Sequence, residues 1–594
     1  MLATAVGVVI VSVVSSIIMF ISMICMVVAL GSTGSKETTP VKAGTFLTVD
    51  MSQISGDRAG SGLMATFGDE KSVGLIDAVN AIRAAAKDDK VAGLLLKGED
   101  GVSVSWGSLT ELRDALAEFK SSEKPIVAYA TGYSQSQYYA VSLADKVCMH
   151  PSGMVDFRGM GAEVMYYKDL LDKLGVEMQL IRPESCSYKS AGEVYTLNHM
   201  SDANREQIRA YIASIWKTAT EQIAASRGME VAELNTIADD LNGFMAEDAV
   251  ASRLVDTLCF EEDMKLMLKE KYDGKQLMPL DKYAANVKNR PNKAKDAIAV
   301  IYAEGDVEDG SAKGFDDGVY GDDIVKALKK AMNDDNVKAI VLRVNSPGGM
   351  ATASESMTHA VIAAKEKKPV IVSMGDLAAS AGYEMSCMAD VIVAQPTTIT
   401  GSIGVFGTIP NVGKLMNQKI GLHTDTVCTN RNAAGMSLYR PLSPRVKELW
   451  TRDVENFYKV FVNRVAEGRH MTYDEVHKIA RGRVWTGADA IGIGLVDTLG
   501  GMDLALRIAA EKAGLDSYKV KEYPEEKDTW TQLCELFGES QDDDLTLMAK
   551  MRLAFKWRVQ SGEWKALSRL EKDIEYITTA EGLQARLPFV IVAE

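Results

Sequence analysis

Ser380 lies in the stretch GDLAASAGYEM, where small neighbours leave its hydroxyl uncovered. A serine hydroxyl is a poor nucleophile until a base takes its proton. The chain holds six histidines, of which the nearest in sequence are His359 and His423, and residues 360–422 contain none. This spacing argues against a Ser-His-Asp triad. Ser380 is then either a nucleophile with another base or a small residue that caps a helix.

Gly349 lies 31 residues before Ser380, and Gly348 precedes it in LRVNSPGGMATASE. Both segments follow an apolar strand, and adjacent parallel strands would bring both turns to the same carboxyl edge of a sheet. Paired glycines allow backbone angles at which amide N–H groups point into a cavity, as an oxyanion hole requires. We therefore predict that Gly348 or Gly349 supplies one donor and the amide of Ala381 a second. A plain strand-to-helix turn is the alternative.

The stretch TTITGSIGVFG (397–407) is rich in glycine and β-branched residues. We expect it to form the wall of a cleft that admits an extended peptide by strand addition. Ser402 lies within this stretch, and we expect it to support the site by packing or hydrogen bonding.

The body of the chain repeats itself. AVNAIRAAAKDDKVAGLLLKG (78–98) matches IVKALKKAMNDDNVKAIVLRV (324–344), and LVDTL recurs at 254–258 and 495–499. EKPIVAYATGYSQSQYYAVSLADKV also matches KKPVIVSMGDLAASAGYEMSCMADV. Amphipathic helices that alternate with buried apolar strands predict an α/β unit with a largely parallel sheet, duplicated in tandem. The predicted parts are a first domain at 43–271, a linker at 272–296, a second domain at 297–515 and a helical tail at 516–594.

The duplication indicates which residue could be the base. Burial can lower the pKa of a lysine from ~10.4 towards neutrality, because desolvation disfavours the ammonium form. Aligned halves place Lys189 of the first opposite Asn432 of the second, and Ser380 opposite Gln135 or Ser136. One half has kept a lysine and the other a serine, which predicts a Ser–Lys pair assembled from both halves.

Composition excludes several classes of function. With 594 residues, 47% hydrophobic and 25% charged, the chain is long enough for several globular domains. Its net charge of −15 and its lack of a Lys/Arg cluster argue against a nucleic-acid partner. The seven cysteines are scattered, without a CxxC pair or His/Cys ligand spacing, so we expect neither a structural zinc nor a disulfide framework, and no cofactor.

The first 35 residues carry no charge, and residues 5–30 are almost wholly apolar. A membrane span needs ~20 such residues, whereas the apolar core of a cleavable signal is usually ~7–15 residues long. We therefore predict one membrane anchor within residues 1–35, with a long signal peptide cut near Gly31 as the alternative. Lys36 and Lys42 follow the span and no Lys or Arg precedes it, so the positive-inside rule does not favour placing the rest of the chain on the outer side of the membrane.

The motifs NSPGG, AASAGY, TGSIGVFG and GRVWTGADAIGIGLVD, in this order, resemble the signal peptide peptidase A family in its long, duplicated, membrane-bound form. The resemblance covers essentially the whole chain. It implies the fold shared by Clp protease subunits and crotonases, a spiral of ββα units. It also implies a dyad split between the domains, with Ser380 as nucleophile and Lys189, in the YKSA motif, as general base. Ser190, next to Lys189, would support that lysine by hydrogen bonding.

The same resemblance implies a substrate class and a location. Substrates would be cleaved signal peptides and similar short apolar peptides, and the protein would form a homotetramer. The body would lie on the periplasmic side of the cytoplasmic membrane, with residues 5–30 in the bilayer. Two alternatives are a catalytically idle membrane scaffold and a crotonase-type acyl-CoA enzyme. Retention of both dyad residues counts against the first, and the lack of a legible CoA site counts against the second.

Overall fold

The computed structural model describes residues 39–59, 72–98, 104–312 and 318–525, and the backbone of residues 584–586. The anchor predicted within residues 1–35 lies outside the described residues, as does most of the predicted tail. Within the described ranges, no helix is long and apolar enough to cross a membrane.

The first half is built on a six-stranded sheet in the order β8-β6-β5-β4-β1-β9, with every neighbouring pair parallel. Two further strands, β2 and β3, pair with each other. The strands are β1 (Thr45–Asp50), β2 (Ile54–Ser55), β3 (Val73–Gly74), β4 (Val91–Lys97), β5 (Ile126–Ala130), β6 (Lys146–Met149), β7 (Glu177–Ile181), β8 (Thr257–Leu258) and β9 (Gln276–Pro279). The helices are α1 (Leu75–Ala86), α2 (Trp106–Lys120), α3 (Gln135–Val141), α4 (Lys168–Leu174), α5 (Glu193–Thr196), α6 (Asp202–Arg227), α7 (Val231–Asp240), α8 (Ala246–Ala251), α9 (Glu261–Tyr272) and α10 (Leu280–Lys288), with a 3₁₀ turn at Met51–Gln53.

The second half is built on an eight-stranded sheet whose main path is β19-β17-β15-β13-β10-β21, with β16 paired to β15 and β20. Its strands are β10 (Ala297–Glu304), β11 (Val307–Glu308), β12 (Val319–Tyr320), β13 (Val337–Ser346), β14 (Gly348–Met350), β15 (Val370–Ala379), β16 (Val391–Ala394), β17 (Ile399–Gly401), β18 (Gly407–Asn411), β19 (Val484–Thr486), β20 (Thr498–Leu499) and β21 (Lys519–Tyr523). The helices are α11 (Gly321–Asn333), α12 (Ala351–Lys365), α13 (Ala381–Glu384), α14 (Pro444–Gly468), α15 (Tyr473–Ile479), α16 (Gly487–Gly492) and α17 (Met502–Lys512), with a π-helical turn at Leu415–Ile420. A last strand, β22 (Gln584–Arg586), belongs to a small sheet in the order β12-β11-β14-β22.

The two sheets share one topology. The order β9-β1-β4-β5-β6-β8 in the first half corresponds strand for strand to β21-β10-β13-β15-β16-β20 in the second. The mixed α/β fold and the duplication are thus confirmed. Both sheets extend beyond the predicted limits, because β9 lies in the stretch predicted as linker and β21 in the predicted tail. These two edge strands are largely exposed, so their sequences lack the apolar pattern that marks a buried strand.

Apolar periodicity determines the central elements. β13 reads VKAIVLRVNS, and seven of the eight residues from Val337 to Val344 are buried, as expected for a parallel strand covered on both faces. In α11 the buried residues Ile324, Ala327, Leu328 and Ala331 follow the spacing of one helix face. Strand β13 carries part of the backbone of the site, since it leads directly into the turn before β14.

The two halves meet through shared packing. β7 of the first half and β18 of the second form an antiparallel ribbon over Glu177–Ile181 and Gly407–Asn411. The core of the first half includes Ala379, Ile399 and Val484 from the second. The loop that follows β7 is therefore held against the second half.

Candidate active site

Ser380 occupies the sharp turn between β15 and α13. Its backbone adopts φ +57° and ψ −117°, a conformation that residues with a Cβ rarely adopt and that costs roughly 1–3 kcal/mol. Its amide donates to Gly401 O at 2.8 Å, and its carbonyl accepts from Glu384 N at 2.9 Å. Strand β17 and helix α13 thus hold a strained strand-to-helix turn, a geometry that presents the hydroxyl of a nucleophile.

Lys189 reaches Ser380 from the other half of the molecule. It lies in the loop between β7 and α5, and its Nζ is 2.7 Å from Ser380 Oγ. The same Nζ is 3.0 Å from both the carbonyl oxygen and the hydroxyl oxygen of Ser402. Lys189, Ser380 and Ser402 are all fully buried. The structure brings together the two residues that the sequence pairs, and it places Ser402 in direct contact with the lysine.

The protonation state of Lys189 follows from its burial. Desolvation lowers the pKa of this lysine to about 7, while a weaker coulombic effect of Cys186 acts in the opposite direction. A neutral amine has two N–H donors and one lone pair. The three oxygens around Nζ can satisfy both N–H groups and the lone pair. The two oxygens of Ser402 can accept the two N–H groups, and the Ser380 hydroxyl can donate to the lone pair. In this arrangement the amine can remove the hydroxyl proton.

Ser402 owes its contact with Lys189 to an unusual backbone. It follows Gly401, and both residues have positive φ, +51° at Ser402 and +77° at Gly401. The Ser402 amide donates to Arg483 O at 2.7 Å, which ties the turn to β19. The sequence predicts that Ser402 supports the site by packing or hydrogen bonding, and in the structure both its hydroxyl and its main-chain carbonyl contact the amine. A main-chain acceptor leaves no signature in the residue type.

The Gly348–Gly349 turn lies at the same sheet edge as Ser380. The two glycines have φ of +105° and +156°, and a Cβ added at Gly349 would lie 2.1 Å from Val307 O. Only glycine fits a backbone in this conformation at so close an approach. The Gly348 amide donates to Ser346 Oγ at 3.2 Å.

Ala381 opens helix α13 beside that turn. A Cβ added at the next residue, Gly382, would lie 2.9 Å from Ser346 O, so the first turn of α13 and the end of β13 are in close contact. Ser346 also pairs with Ala378 across β13 and β15. The three predicted amide donors, Gly348, Gly349 and Ala381, are therefore carried by neighbouring segments around Ser380.

Ser190 contacts helix α6 instead of the amine. Its hydroxyl donates to Asn204 Oδ1 at 2.8 Å and accepts from Gln207 Nε2 at 3.0 Å. Gln207 also donates to Tyr188 O at 3.0 Å, so one glutamine braces both neighbours of Lys189. The sequence offered no signal for Gln207, since a polar residue on a long helix is ordinarily solvated.

Gly482 packs against Lys189 from the second half. A Cβ at this position would lie 2.5 Å from both Cβ and N of Lys189, and φ is +83°. The preceding residue, Arg481, accepts a hydrogen bond from the Tyr188 amide at 3.0 Å. Gly482 stands in the motif GRVWTGADAIGIGLVD, which could have indicated a close backbone approach but not its partner. Among the described residues, no cluster of His, Cys, Asp or Glu could hold a metal ion.

Comparison with known proteins identifies the family. A sequence model described as "Peptidase family S49" matches residues 118–275 and 362–516, more than half of the chain. The chain belongs to peptidase family S49. Protease 4 of Salmonella typhi is 38% identical over 76% of this chain and 74% of its own. Protease 4 of Haemophilus influenzae is 34% identical over 74% of this chain and 73% of its own.

Other similarities cover one half-sized unit. A putative signal peptide peptidase SppA of Enterococcus faecium is 36% identical over 33% of this chain and 57% of its own. Among solved structures, ClpP1 from Listeria monocytogenes is 16% identical over 35% of this chain and 94% of its own, with a TM-score of 0.22. As a member of family S49 the chain is a serine protease. An acyl-CoA enzyme and an idle scaffold do not agree with this membership.

Proposed function

We propose that the protein is a membrane-anchored endopeptidase in which Ser380 is the nucleophile and Lys189 the general base. The observation that carries this proposal is the 2.7 Å separation of Lys189 Nζ and Ser380 Oγ in a fully buried setting. That distance lies within the ~2.6–3.2 Å at which a base can take a proton directly. The lowered pKa of Lys189, about 7, supplies a neutral amine near neutral pH.

The reaction follows from these groups. Lys189 takes the proton of Ser380 while Oγ attacks the carbonyl carbon of the scissile peptide bond. The oxyanion is stabilised by amides of Gly348 or Gly349 and of Ala381. The ammonium of Lys189 then protonates the leaving amine, and the C–N bond breaks to leave an acyl-enzyme. Water that Lys189 deprotonates attacks the ester, which releases the second product and restores Ser380.

Binding of the peptide as an added strand is supported by β14. The backbone of residues 584–586 pairs antiparallel with this strand, with Gly348 opposite Arg586 and Met350 opposite Gln584. The same edge can therefore hold an extended substrate, whose main-chain hydrogen bonds give affinity whatever its side chains. This mode suits short, unfolded apolar peptides better than folded proteins.

Cleaved signal peptides are the substrate class that we assign. The name of one relative, a signal peptide peptidase, supports this choice, and so does the apolar segment 5–30, which would keep the site close to a membrane. In this proposal the body lies on the periplasmic side of the cytoplasmic membrane, and the protein assembles as a homotetramer.

The nucleophile is tested by substitution and labelling. Ser380→Ala should lose hydrolysis of an apolar chromogenic peptide by at least about 10³-fold and should also lose labelling by a fluorophosphonate. The matched control is Ser386→Ala, a buried serine six positions further on whose hydroxyl donates to Gly382 O. The control should keep both signals. Labelling of the Ser380→Ala protein at the wild-type rate would show that the nucleophile lies elsewhere.

A further inference from the structure

Helix α2 of the first half begins on a carboxylate of the second half. Its N-cap residue, Ser105, makes no side-chain capping hydrogen bond. Instead, Asp376 of β15 accepts from the Ser108 amide at 2.6 Å and from the Ser108 hydroxyl at 2.8 Å. Ser108 is the third helical residue, whose amide has no partner within the helix. A Cβ added at Gly107 would lie 2.9 Å from Asp376 Cα, so the approach requires a glycine there.

The second half has a helix that begins on a carboxylate of the first. Glu111, on α2, accepts from the Met502 amide at 2.6 Å, at the first residue of α17. Its other carboxylate oxygen accepts from Arg343 Nη2 at 2.9 Å. Arg343 lies on β13, is fully buried, and also donates to Asp57 of the first half at 2.7 Å. Each half thus caps a helix of the other, and Glu111, the cap of α17, also belongs to a buried ion pair with Arg343.

The strands that take part in these contacts, β13 and β15, are the ones that lead into the turns of the candidate active site. Asp376 precedes Ser380 by four residues on β15, a distance of about 13 Å along a strand. Arg343 precedes the Gly348–Gly349 turn on β13. The opposite face of α2 is fixed within the first half, because Arg113 on that face donates to Tyr139 O, Ser142 Oγ, Gln222 O and Ser226 Oγ.

We propose that Asp376 and Glu111 are positioning residues that set the alignment of Lys189 with Ser380 by fixing helix α2 to strands β13 and β15. This inference rests on the split dyad of the proposed function. The base belongs to one half and the nucleophile to the other, so a shift between halves changes their separation directly. A displacement of about 1 Å can cost on the order of 10²-fold in rate. The buried caps restrain that shift.

Charge and burial make the Asp376 contact specific. Burial raises the pKa of Asp376, whereas the two hydrogen bonds from Ser108 lower it. Asp57 and Arg343 are the charged groups that act on it, with opposite signs. A carboxylate held by a helix amide and a hydroxyl has little freedom to move, and a lost partner would leave a buried group unsatisfied at a cost of ~1–3 kcal/mol.

The test compares Asp376→Ala with Asp376→Asn and with Gly107→Ala in the full chain. Asp376→Ala removes the cap, and kcat should fall about 10- to 100-fold with KM changed less than about threefold. Asp376→Asn keeps an acceptor for the Ser108 amide and should restore at least half of the lost rate. Gly107→Ala changes no charge and raises helix propensity, yet it should lower kcat because its Cβ forces α2 away from β15. If Asp376→Ala does not fold, Gly107→Ala still tests the proposal.

The control is Met264→Ala on α9, which opens a cavity in an apolar cluster of the first half that contains no residue of α2. It should lower the melting temperature while keeping kcat and the midpoint of the acid limb of the pH–rate profile. In Asp376→Ala that midpoint should rise, because a looser junction lets water reach Lys189. Equal losses of kcat and equal midpoints in Asp376→Ala and Met264→Ala would overturn the proposal. The proposed function and the role of the caps are tested separately. Peptidase activity in Ser380→Ala would contradict the proposed function, whatever the rates of the Asp376 and Gly107 variants.

Discussion

Lys189 combines two requirements that oppose each other. The proposed mechanism requires a neutral amine beside Ser380, and burial supplies it by lowering the pKa of Lys189 to about 7. The same burial removes the hydration that stabilises an ammonium ion, so the folded state is penalised whenever the lysine is protonated. The hydrogen bonds to Ser402 hold the side chain in place despite this penalty.

The first prediction concerns the pH dependence of activity. Because the base must be neutral, kcat/KM should rise about tenfold per pH unit at low pH and level off above the Lys189 pKa of about 7. Lys189→Arg keeps the charge, but a guanidinium does not lose its proton below about pH 12, so this variant should be inactive throughout. Lys217→Arg, at an exposed lysine on helix α6, is the control and should keep the wild-type profile. An acid limb near the ordinary lysine pKa would contradict the assignment.

The second prediction concerns stability. The unfolded chain binds a proton at Lys189 up to the ordinary pKa of 10.5, but the folded chain binds it only up to about 7. The wild-type free energy of unfolding should therefore gain a rising contribution between these pH values. Lys189→Met lacks this contribution and should be inactive. At pH 7 it removes a penalty of ~1.4 kcal/mol per unit of lowering, which the lost hydrogen bonds to Ser402 partly offset. Its advantage should shrink as the pH rises towards 10.5.

Urea unfolding at several pH values measures this difference. Ser380→Ala is the matched variant, because it is inactive yet keeps the buried lysine, so it should retain the wild-type pH dependence. A stability gain in Lys189→Met that does not change with pH would mean that the lysine is charged in the folded state.

At the scale of elements, the sequence predicted the buried central strands, because their apolar runs mark them. Apolar runs identified β13 and β15, and the repeat identified two halves with one topology. The edge strands β9 and β21 were missed because each is largely exposed, with one buried residue, so neither sequence carries an apolar pattern. Ser380 and Lys189 could be paired from the sequence, because the aligned halves show that one kept the serine and the other the lysine. The cap of α2 by Asp376 could not, because it joins residues 268 positions apart. Such long-range caps use common residue types, so no local sequence pattern predicts them.

The third prediction concerns β22, which pairs with β14 at the edge assigned to substrate. A strand tethered to the same chain competes at an effective concentration on the order of millimolar. Ending the chain at residue 583 should therefore lower KM for a free apolar peptide several-fold and leave kcat unchanged. Ala585→Pro in the full chain removes one backbone donor and should shift KM in the same direction. An unchanged KM in both proteins would show that β22 does not compete with substrate.

At the scale of the whole molecule, the two halves behave as partners joined by a short connection. Each core includes side chains from the other half, Ala379 and Ile399 in the first and Ile181 and Cys186 in the second. The connection between α10 and β10 covers residues 289–296 and is mostly exposed. We therefore expect non-covalent packing between the halves, rather than the connection, to hold Lys189 beside Ser380.

The fourth prediction follows from that packing. A site for a specific protease, inserted between Arg290 and Pro291, should allow the purified protein to be cut into two fragments that co-elute in gel filtration. The nicked protein should keep most of its peptidase activity, because the cut lies outside the shared cores. The uncut insertion variant controls for the insertion itself. Separation of the fragments, or loss of activity upon cleavage alone, would show that the connection itself maintains the alignment.

The distance along the chain between the dyad residues has a consequence for biosynthesis. Lys189 and Ser380 are 191 positions apart, and at ~5–20 residues per second the ribosome needs roughly 10–40 s to pass from one to the other. During that time the emerging first half has the proposed base but not the proposed nucleophile. Its own unfolded strands are extended and apolar, which is the form of peptide that the finished enzyme would cleave. If the proposed dyad is the catalytic group, a nascent chain cannot cleave its own strands until its second half has been made and has folded against the first.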